Sequence, residues 1–120
     1  MRVILLLLAS LALGFSAQAA DLKAGEKVFK KCAACHVVDK EKNKTGPHLV
    51  GIIGRPAASV ASFKKYSKAM KNSGLVWDAE TLDGYLANPK KYLKGTKMAF
   101  AGLKKEKDRA NIIAWLESLQ

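Results

Sequence analysis

Cysteine is scarce in this chain, and so are acidic residues. The 120 residues include only two cysteines, Cys32 and Cys35, which excludes a scaffold built on several disulfides. Lys and Arg number 21 against 10 Asp and Glu, so the formal net charge is +11. An excess of this sign indicates acidic partners: nucleic acid, an anionic membrane or a negatively charged protein face.

The sequence also lacks internal repeats and any useful length of the alternation typical of β-strands. Hydrophobic residues make up 49% and charged residues 26%, which is the balance of a globular protein and disfavours disorder or a fibrous repeat. A chain of this length allows one compact domain. The pattern therefore predicts a single all-α domain.

The one long apolar run lies at the N-terminus. After Met1-Arg2, residues 3–13 are almost entirely apolar, and Ala17-Gln18-Ala19 fits the small-x-small rule for cleavage. The run is short for a bilayer span, which needs about 20 residues, so an uncleaved membrane anchor is the weaker alternative. The pattern predicts a secretory signal peptide over residues 1–19, a mature domain over 20–120, and export to a bacterial periplasm.

The mature part predicts short helices separated by long loops. The glycines and prolines between residues 39 and 76 interrupt the chain too often for a long helix, and residues 94–103 form another loop. The predicted helices span Leu22 to about Lys31, about 66–71, Asp78 to Asn88, Pro89 to Leu93, and about Lys105 to Leu119. Loops this long in a domain with a modest core predict that some internal group organises them.

The segment Cys32-Ala33-Ala34-Cys35-His36 carries the chemistry. It places two thiols one helical turn apart and an imidazole directly after the second. This spacing is typical of covalent c-type haem attachment, in which the thiols add to the haem vinyl groups and the histidine binds iron. A bound macrocycle would also organise the loops, and the signal peptide agrees because bacterial c-type maturation occurs outside the cytoplasm.

Three other interpretations of the two cysteines are weaker. A zinc site needs four ligands, and only His48 is available to join Cys32, Cys35 and His36. A thioredoxin-like dithiol expects a strand before a helix, which the helical pattern does not provide. A structural disulfide leaves the long loops unexplained.

The sixth iron position separates electron transfer from ligand chemistry. The mature chain has two methionines, Met70 and Met98, and only Met98 lies in a loop bounded by glycines, Gly95 and Gly102. A thioether ligand raises the reduction potential, and with both axial positions filled the iron can only cycle between two oxidation states. Met98 therefore predicts an electron carrier. The alternative is a haem enzyme or gas-binding sensor with an open sixth position.

Beyond the haem motif, an ordered set of residues runs through nearly all of the mature chain. The set comprises Thr45-Gly46-Pro47, Gly51, Gly54-Arg55, Trp77, Tyr85, Asn88-Pro89-Lys90-Lys91-Tyr92 and Gly95-Thr96-Lys97-Met98. With these residues the chain resembles class I cytochrome c, the family of mitochondrial cytochrome c and its short bacterial periplasmic relatives. The resemblance implies an all-α fold in which helices and long loops wrap around one haem c, bound covalently through Cys32 and Cys35.

The resemblance also implies roles around the iron. His36 and Met98 would be the axial ligands, and the Pro47 carbonyl would accept a hydrogen bond from His36 Nδ1. Tyr85 and Thr96 would brace the Met98 side.

A second set of roles concerns the edge of the haem. Tyr66 and Trp77 would donate to a buried propionate, Arg55 would balance its charge, and Phe100 would shield the haem edge. The chain departs from the family at Lys94, where relatives have a proline, at Met70, where mitochondrial relatives have an asparagine, and by one extra residue before Tyr66.

Many of the lysines lie in sequence near the haem-binding segments: Lys30, Lys31, Lys44, Lys90, Lys91, Lys97, Lys104 and Lys105. They predict a basic ring that steers a monomeric carrier onto acidic faces of redox proteins. The implied partners are a cytochrome bc complex and a photosynthetic reaction centre, a respiratory terminal oxidase or a periplasmic dehydrogenase. An ordinary solvated surface is the alternative. Nucleic acid is disfavoured, and membrane contact would be peripheral at most.

Overall fold

The computed structural model describes residues 19–120, so the predicted signal peptide lies outside the described residues except for Ala19. Five helices follow one another along the chain: α1 (Leu22–Phe29), α2 (Lys68–Lys71), α3 (Ala79–Ala87), α4 (Pro89–Tyr92) and α5 (Glu106–Ser118). Between residues 19 and 120 the β pairing is limited to one isolated bridge, Pro56 to Val76. The all-α prediction is confirmed.

Side-chain caps set where four of the five helices begin, and the cap of α2 is Ser67. Asp21 Oδ1 accepts from the Ala24 amide at 3.1 Å, and Asp78 Oδ1 accepts from the Thr81 amide at 2.8 Å. Hydrogen bonds from the backbone and the side chain of Thr81 lower the pKa of Asp78. Asn88 caps α4, where Pro89 occupies the first turn and loses no hydrogen bond by lacking an N–H.

The two terminal helices cross in close contact at Gly25. A Cβ on Gly25 would collide with the backbone carbonyl of Asn111 and would lie 2.8 Å from Trp115 Cβ. Next to the crossing, the rings of Phe29 and Trp115 pack with centroids 5.0 Å apart. The Asp21 amide donates to the buried Asn111 Oδ1 at 2.9 Å, which ties the start of α1 to the middle of α5.

Long loops cover the space that the helices enclose. Residues 30–67 pass from α1 to α2 and residues 93–105 pass from α4 to α5. Gly102 has φ +113°, and a Cβ there would collide with the Ala87 carbonyl, so this return of the chain toward α3 requires glycine. No helix within residues 19–120 is long and apolar enough to cross a membrane.

Candidate haem-binding site

A cavity of about 300 Å³ lies between the helices and these two loops. The helices line it with Phe29 of α1, Leu82 of α3, and Ile112 and Leu116 of α5, all of which are buried core residues. The loops add further apolar side chains, including Ile52. No Asp or Glu lies among the described residues that line this cavity.

All ten residues that the sequence singles out lie on the wall of this one cavity. They are Cys32, Cys35, His36, Pro47, Arg55, Tyr66, Trp77, Tyr85, Thr96 and Met98. Phe100 and Met70 line it as well. The fold therefore brings together residues that are spread over 67 positions of the chain, from Cys32 to Met98.

The two thiols lie on a tight turn that continues directly from α1. The amides of Cys35 and His36 both donate to the Cys32 carbonyl, at 3.1 and 3.0 Å. Both cysteines are free, and burial raises the pKa of the Cys32 thiol, which Lys31 partly opposes. The turn thus presents two unpaired thiols at one end of the cavity.

The His36 ring is fixed from two sides. Its Nδ1 lies 2.6 Å from the Pro47 carbonyl, and because a carbonyl can only accept, Nδ1 is the donor. Burial lowers the pKa of His36, which favours the neutral ring, so Nε2 has its lone pair free. Gly46 lies against the ring, and a Cβ there would be 2.8 Å from Nδ1. The imidazole is thereby prepared as a metal ligand.

Two hydroxyl groups hold the opposite side of the cavity near Met98. Tyr85 Oη and Thr96 Oγ1 share a hydrogen bond of 2.7 Å, and Thr96 Oγ1 also accepts from the Met98 amide at 3.4 Å. Burial raises the pKa of Tyr85. The indole of Trp77 packs on Tyr85 with ring centroids 5.0 Å apart. Met98 is the nearest thioether in sequence to this hydroxyl pair.

Arg55 has a buried donor without a partner. Its Nη1 and Nη2 donate to the carbonyls of Val50 and His48 at 3.0 and 3.1 Å, whereas the buried Nε finds no acceptor among the described residues. Burial lowers the pKa of Arg55. Tyr66 Oη accepts from the Val60 amide at 3.2 Å, which leaves its own proton to donate. These donors indicate an acidic group on a ligand in the cavity.

These features fit a haem better than a zinc ion. The cavity offers two thiols, a neutral imidazole and two thioethers around an apolar space, and donors that suit the carboxylate of a propionate. Within residues 19–120, no three His, Cys, Asp or Glu side chains group closely enough to hold a metal. His48 Nδ1 accepts from the Val50 amide at 3.2 Å, and His48 does not line the cavity.

Some residues that line the cavity are not marked by any motif in the sequence. Ala58, Phe63 and Lys65 also contribute to the wall, from a loop in which the sequence has neither periodicity nor a motif. The contact of Gly46 with the His36 ring could not be predicted either, because the sequence marks Gly46 only as part of Thr45-Gly46-Pro47. Only the folded path of these loops shows the contacts.

Comparison with known proteins agrees with this site. Residues 22–120 match the family model described as cytochrome c. The chain is 57% identical over 98 residues to cytochrome c type-1 of Ascaris suum, which covers 81% of this chain and 87% of that protein. It is 54% identical over 99 residues to cytochrome c of Gossypium barbadense, with 81% and 88% covered.

A solved structure is similar over the same region. Cytochrome cH from Methylobacterium extorquens has a TM-score of 0.77 and 45% identity, and the match covers 82% of this chain and 99% of that one. Proteins of this family carry one covalently bound haem c and transfer electrons rather than act as enzymes, and Cys32 and Cys35 are the two cysteines that attachment requires. The chain belongs to the class I cytochrome c family and is a haem electron carrier.

Proposed function

We propose that this carrier uses His36 and Met98 as its axial ligands and works in a bacterial periplasm. The observation that supports the ligand pair best is the hydrogen bond from His36 Nδ1 to the Pro47 carbonyl, which leaves Nε2 available on the wall of the cavity that also contains Met98. A haem bound there supplies a one-electron couple between ferrous and ferric iron.

The surrounding residues set the properties of that couple. Pro47 fixes the tautomer and the orientation of the His36 ring, so that Nε2 would be held ready to bind the iron. The Met98 thioether favours ferrous iron and so raises the reduction potential. A haem iron held by both His36 and Met98 would have no open position for oxygen or peroxide.

Three hydrogen-bond donors would bind a propionate at the edge of the haem. Arg55 Nε and the Tyr66 hydroxyl are the groups that we assign to a propionate, with Trp77 as a third donor. Burying a carboxylate requires such partners, because an unpaired charge in an apolar cavity is costly. Arg55 also supplies the compensating positive charge.

The periplasmic assignment and the partners depend on the N-terminus and on charge. Residues 1–19 have the pattern of a secretory signal, and 20–120 would be the mature domain. The cavity wall includes Lys31, Lys65 and Lys97 and no described carboxylate, so the exposed edge is basic. We assign acidic faces as docking sites, on a cytochrome bc complex and on a reaction centre, terminal oxidase or periplasmic dehydrogenase, with the carrier a monomer.

Optical spectroscopy of the ferric and ferrous holoprotein tests the ligand pair. A weak near-infrared charge-transfer band from methionine ligation is expected in the ferric form, and carbon monoxide should not bind the ferrous form. Rapid carbon monoxide binding without the band would favour a haem enzyme or gas sensor with an open position.

The location is tested separately by expression in a bacterium that matures c-type cytochromes. Holoprotein in the periplasmic fraction, with Ala20 as its first residue, is the expected result. Holoprotein that keeps residues 1–19 and stays in the membrane fraction would contradict the proposed signal peptide.

A further inference from the structure

Arg109 of α5 joins three parts of the protein that meet beside the cavity. Its Nε donates to Asp83 Oδ1 of α3 at 2.8 Å, and its Nη1 donates to the carbonyls of Leu103 and Lys104 at 2.8 and 3.2 Å. The Arg109 side chain is only 13% exposed, whereas that of Asp83 is 47% exposed. This half-buried guanidinium thus makes charge-assisted hydrogen bonds to α3 and to two consecutive loop carbonyls at once.

Those carbonyls lie at the C-terminal end of residues 93–105, here called the Met98 segment. At its other end, the Thr96 amide donates to the Leu93 carbonyl at 3.1 Å and the Thr96 hydroxyl pairs with Tyr85. Between the two ends, the amides of residues 99–102 have no hydrogen-bond partner within 19–120. The position of Met98 therefore depends on how firmly each end is held.

Arg109 is one of three groups that hold the C-terminal end. Another is Lys104 Nζ, which donates to the carbonyls of Ala101 and Ala87 at 3.2 and 3.5 Å. The Leu103 amide donates to the Leu86 carbonyl at 2.7 Å, which fixes one point of the chain, and Leu103 itself is buried. Arg109 binds the carbonyls of Leu103 and Lys104 and thereby helps to set the direction in which the segment enters α5. Lysine could not do this, because one ammonium does not offer the planar fork that reaches Asp83 and the carbonyls together.

We propose that Arg109, oriented by Asp83, is a positioning residue that holds the Met98 segment closed over the sixth iron position. The proposal rests on the assignment of Met98 as an axial ligand made above. In this role Arg109 does not touch the iron or the haem. It acts by making displacement of the Met98 side chain more difficult.

Imidazole binding to the ferric holoprotein measures that displacement, because imidazole must replace Met98 to bind. Arg109→Met keeps the aliphatic stem and removes all of the hydrogen bonds. We expect it to tighten imidazole binding about tenfold, which corresponds to about 1.4 kcal/mol. Asp83→Asn should have a smaller effect in the same direction, because Nη1 keeps its carbonyls.

The Met98→Ala background separates positioning from a general structural role. With the thioether removed, imidazole has no ligand to displace, so adding Arg109→Met should change the affinity less than about twofold. Ile113→Val, a core change in α5 away from the cavity wall, is a matched control that lowers stability and should leave imidazole affinity unchanged.

Three results would overturn the proposal: no change with Arg109→Met, an equal change in the Met98→Ala background, or the same change with Ile113→Val. If Arg109→Met yields no holoprotein, Arg109→Lys and Asp83→Asn are measured in its place against the same criteria. The near-infrared band distinguishes the two proposals. A band that persists in Met98→Ala overturns the ligand assignment, whereas loss of that band with no effect of Arg109→Met overturns only the role of Arg109.

Discussion

Single hydrogen bonds decide how the two sides of the cavity are held. On one side His36 Nδ1 donates to the Pro47 carbonyl at 2.6 Å, and on the other Tyr85 pairs with Thr96 at 2.7 Å. Both pairs are polar groups in apolar surroundings, where a lost partner is more costly than in water. The hydrogen-bond partners Pro47 and Tyr85 therefore help to hold His36 and the loop that contains Met98.

The Tyr85 hydroxyl should stabilise the protein in a pH-dependent way. Burial raises the pKa of Tyr85, so the folded state holds this proton to a higher pH than the unfolded state does. Its contribution is complete below about pH 10, the ordinary pKa of tyrosine, and is lost as the pH rises through the folded-state pKa. We expect Tyr85→Phe to lower the free energy of unfolding by about 1 kcal/mol at neutral pH.

Denaturant titration at several pH values checks this prediction. The difference between the parent and Tyr85→Phe should be constant from pH 7 to about 9 and should shrink above about pH 10. Thr96→Val supplies the control, because the two changes together should cost less than their sum. Strictly additive changes, or a difference that grows at alkaline pH, would show that the pair does not stabilise the protein.

At the scale of the helices, the sequence predicts most of what the structure contains. The predicted starts at Leu22 and Pro89 agree with α1 and α4, and the others agree within about two residues, because Asp21, Asp78 and Asn88 are recognisable caps. The predicted end of α1 near Lys31 is two residues too late. There the chain leaves the helix at Phe29 and enters the tight turn that contains Cys32.

Contacts between residues far apart in the chain could not be predicted from the sequence. Nothing local marks Asp83 as the partner of Arg109, 26 residues away, or Asn43 as a donor to Ser62 at 2.9 Å. Ala58 has φ +59°, a conformation that glycine normally adopts. Because alanine stands there, no residue type marks the turn in the sequence. Residues of the cavity wall could be predicted where they belong to a motif. They could not be predicted where only the fold of a loop places them against the cavity.

The crossing of α1 and α5 should depend on the absence of a side chain at Gly25. Alanine is the better helix former by up to about 1 kcal/mol, but the added Cβ would strike the Asn111 backbone, which cannot move aside as a flexible side chain could. We expect Gly25→Ala to lower the free energy of unfolding by about 2 kcal/mol. Lys23→Ala, an exposed change in the same helix, should alter it by less than about 0.5 kcal/mol.

Denaturant unfolding of the holoprotein, followed by far-ultraviolet circular dichroism, measures both variants. A Gly25→Ala protein as stable as the parent would mean that the two helices separate without cost, contrary to the close crossing. The reduction potential should change little, because Gly25 does not line the cavity.

The whole molecule has an uneven distribution of charge. Lys31, Lys65, Lys97 and Arg55 line the cavity, whereas Asp78, Glu80 and Asp83 lie at or in α3. A basic face around a haem edge increases the rate at which an acidic partner finds that edge. Exposed charges farther apart than a Debye length of about 10 Å at 0.1 M salt are largely screened.

Electron-transfer kinetics with an acidic redox partner test this steering. The bimolecular rate constant should fall as ionic strength rises, and charge reversal at Lys31 or Lys97 should slow the reaction most at low salt. Lys107→Glu on α5 is the matched control, since Lys107 is exposed and does not line the cavity. Equal slowing by all three reversals would indicate that only net charge matters.

We expect Met98, and not Met70, to bind the haem iron together with His36. Both methionines line the cavity, so position alone does not choose between them. A methionine methyl held over the haem ring gives a proton NMR signal shifted strongly upfield in the ferrous protein. We expect this signal in the parent and in Met70→Leu, and its loss in Met98→Ala. A signal that persists in Met98→Ala and disappears in Met70→Leu would contradict the account.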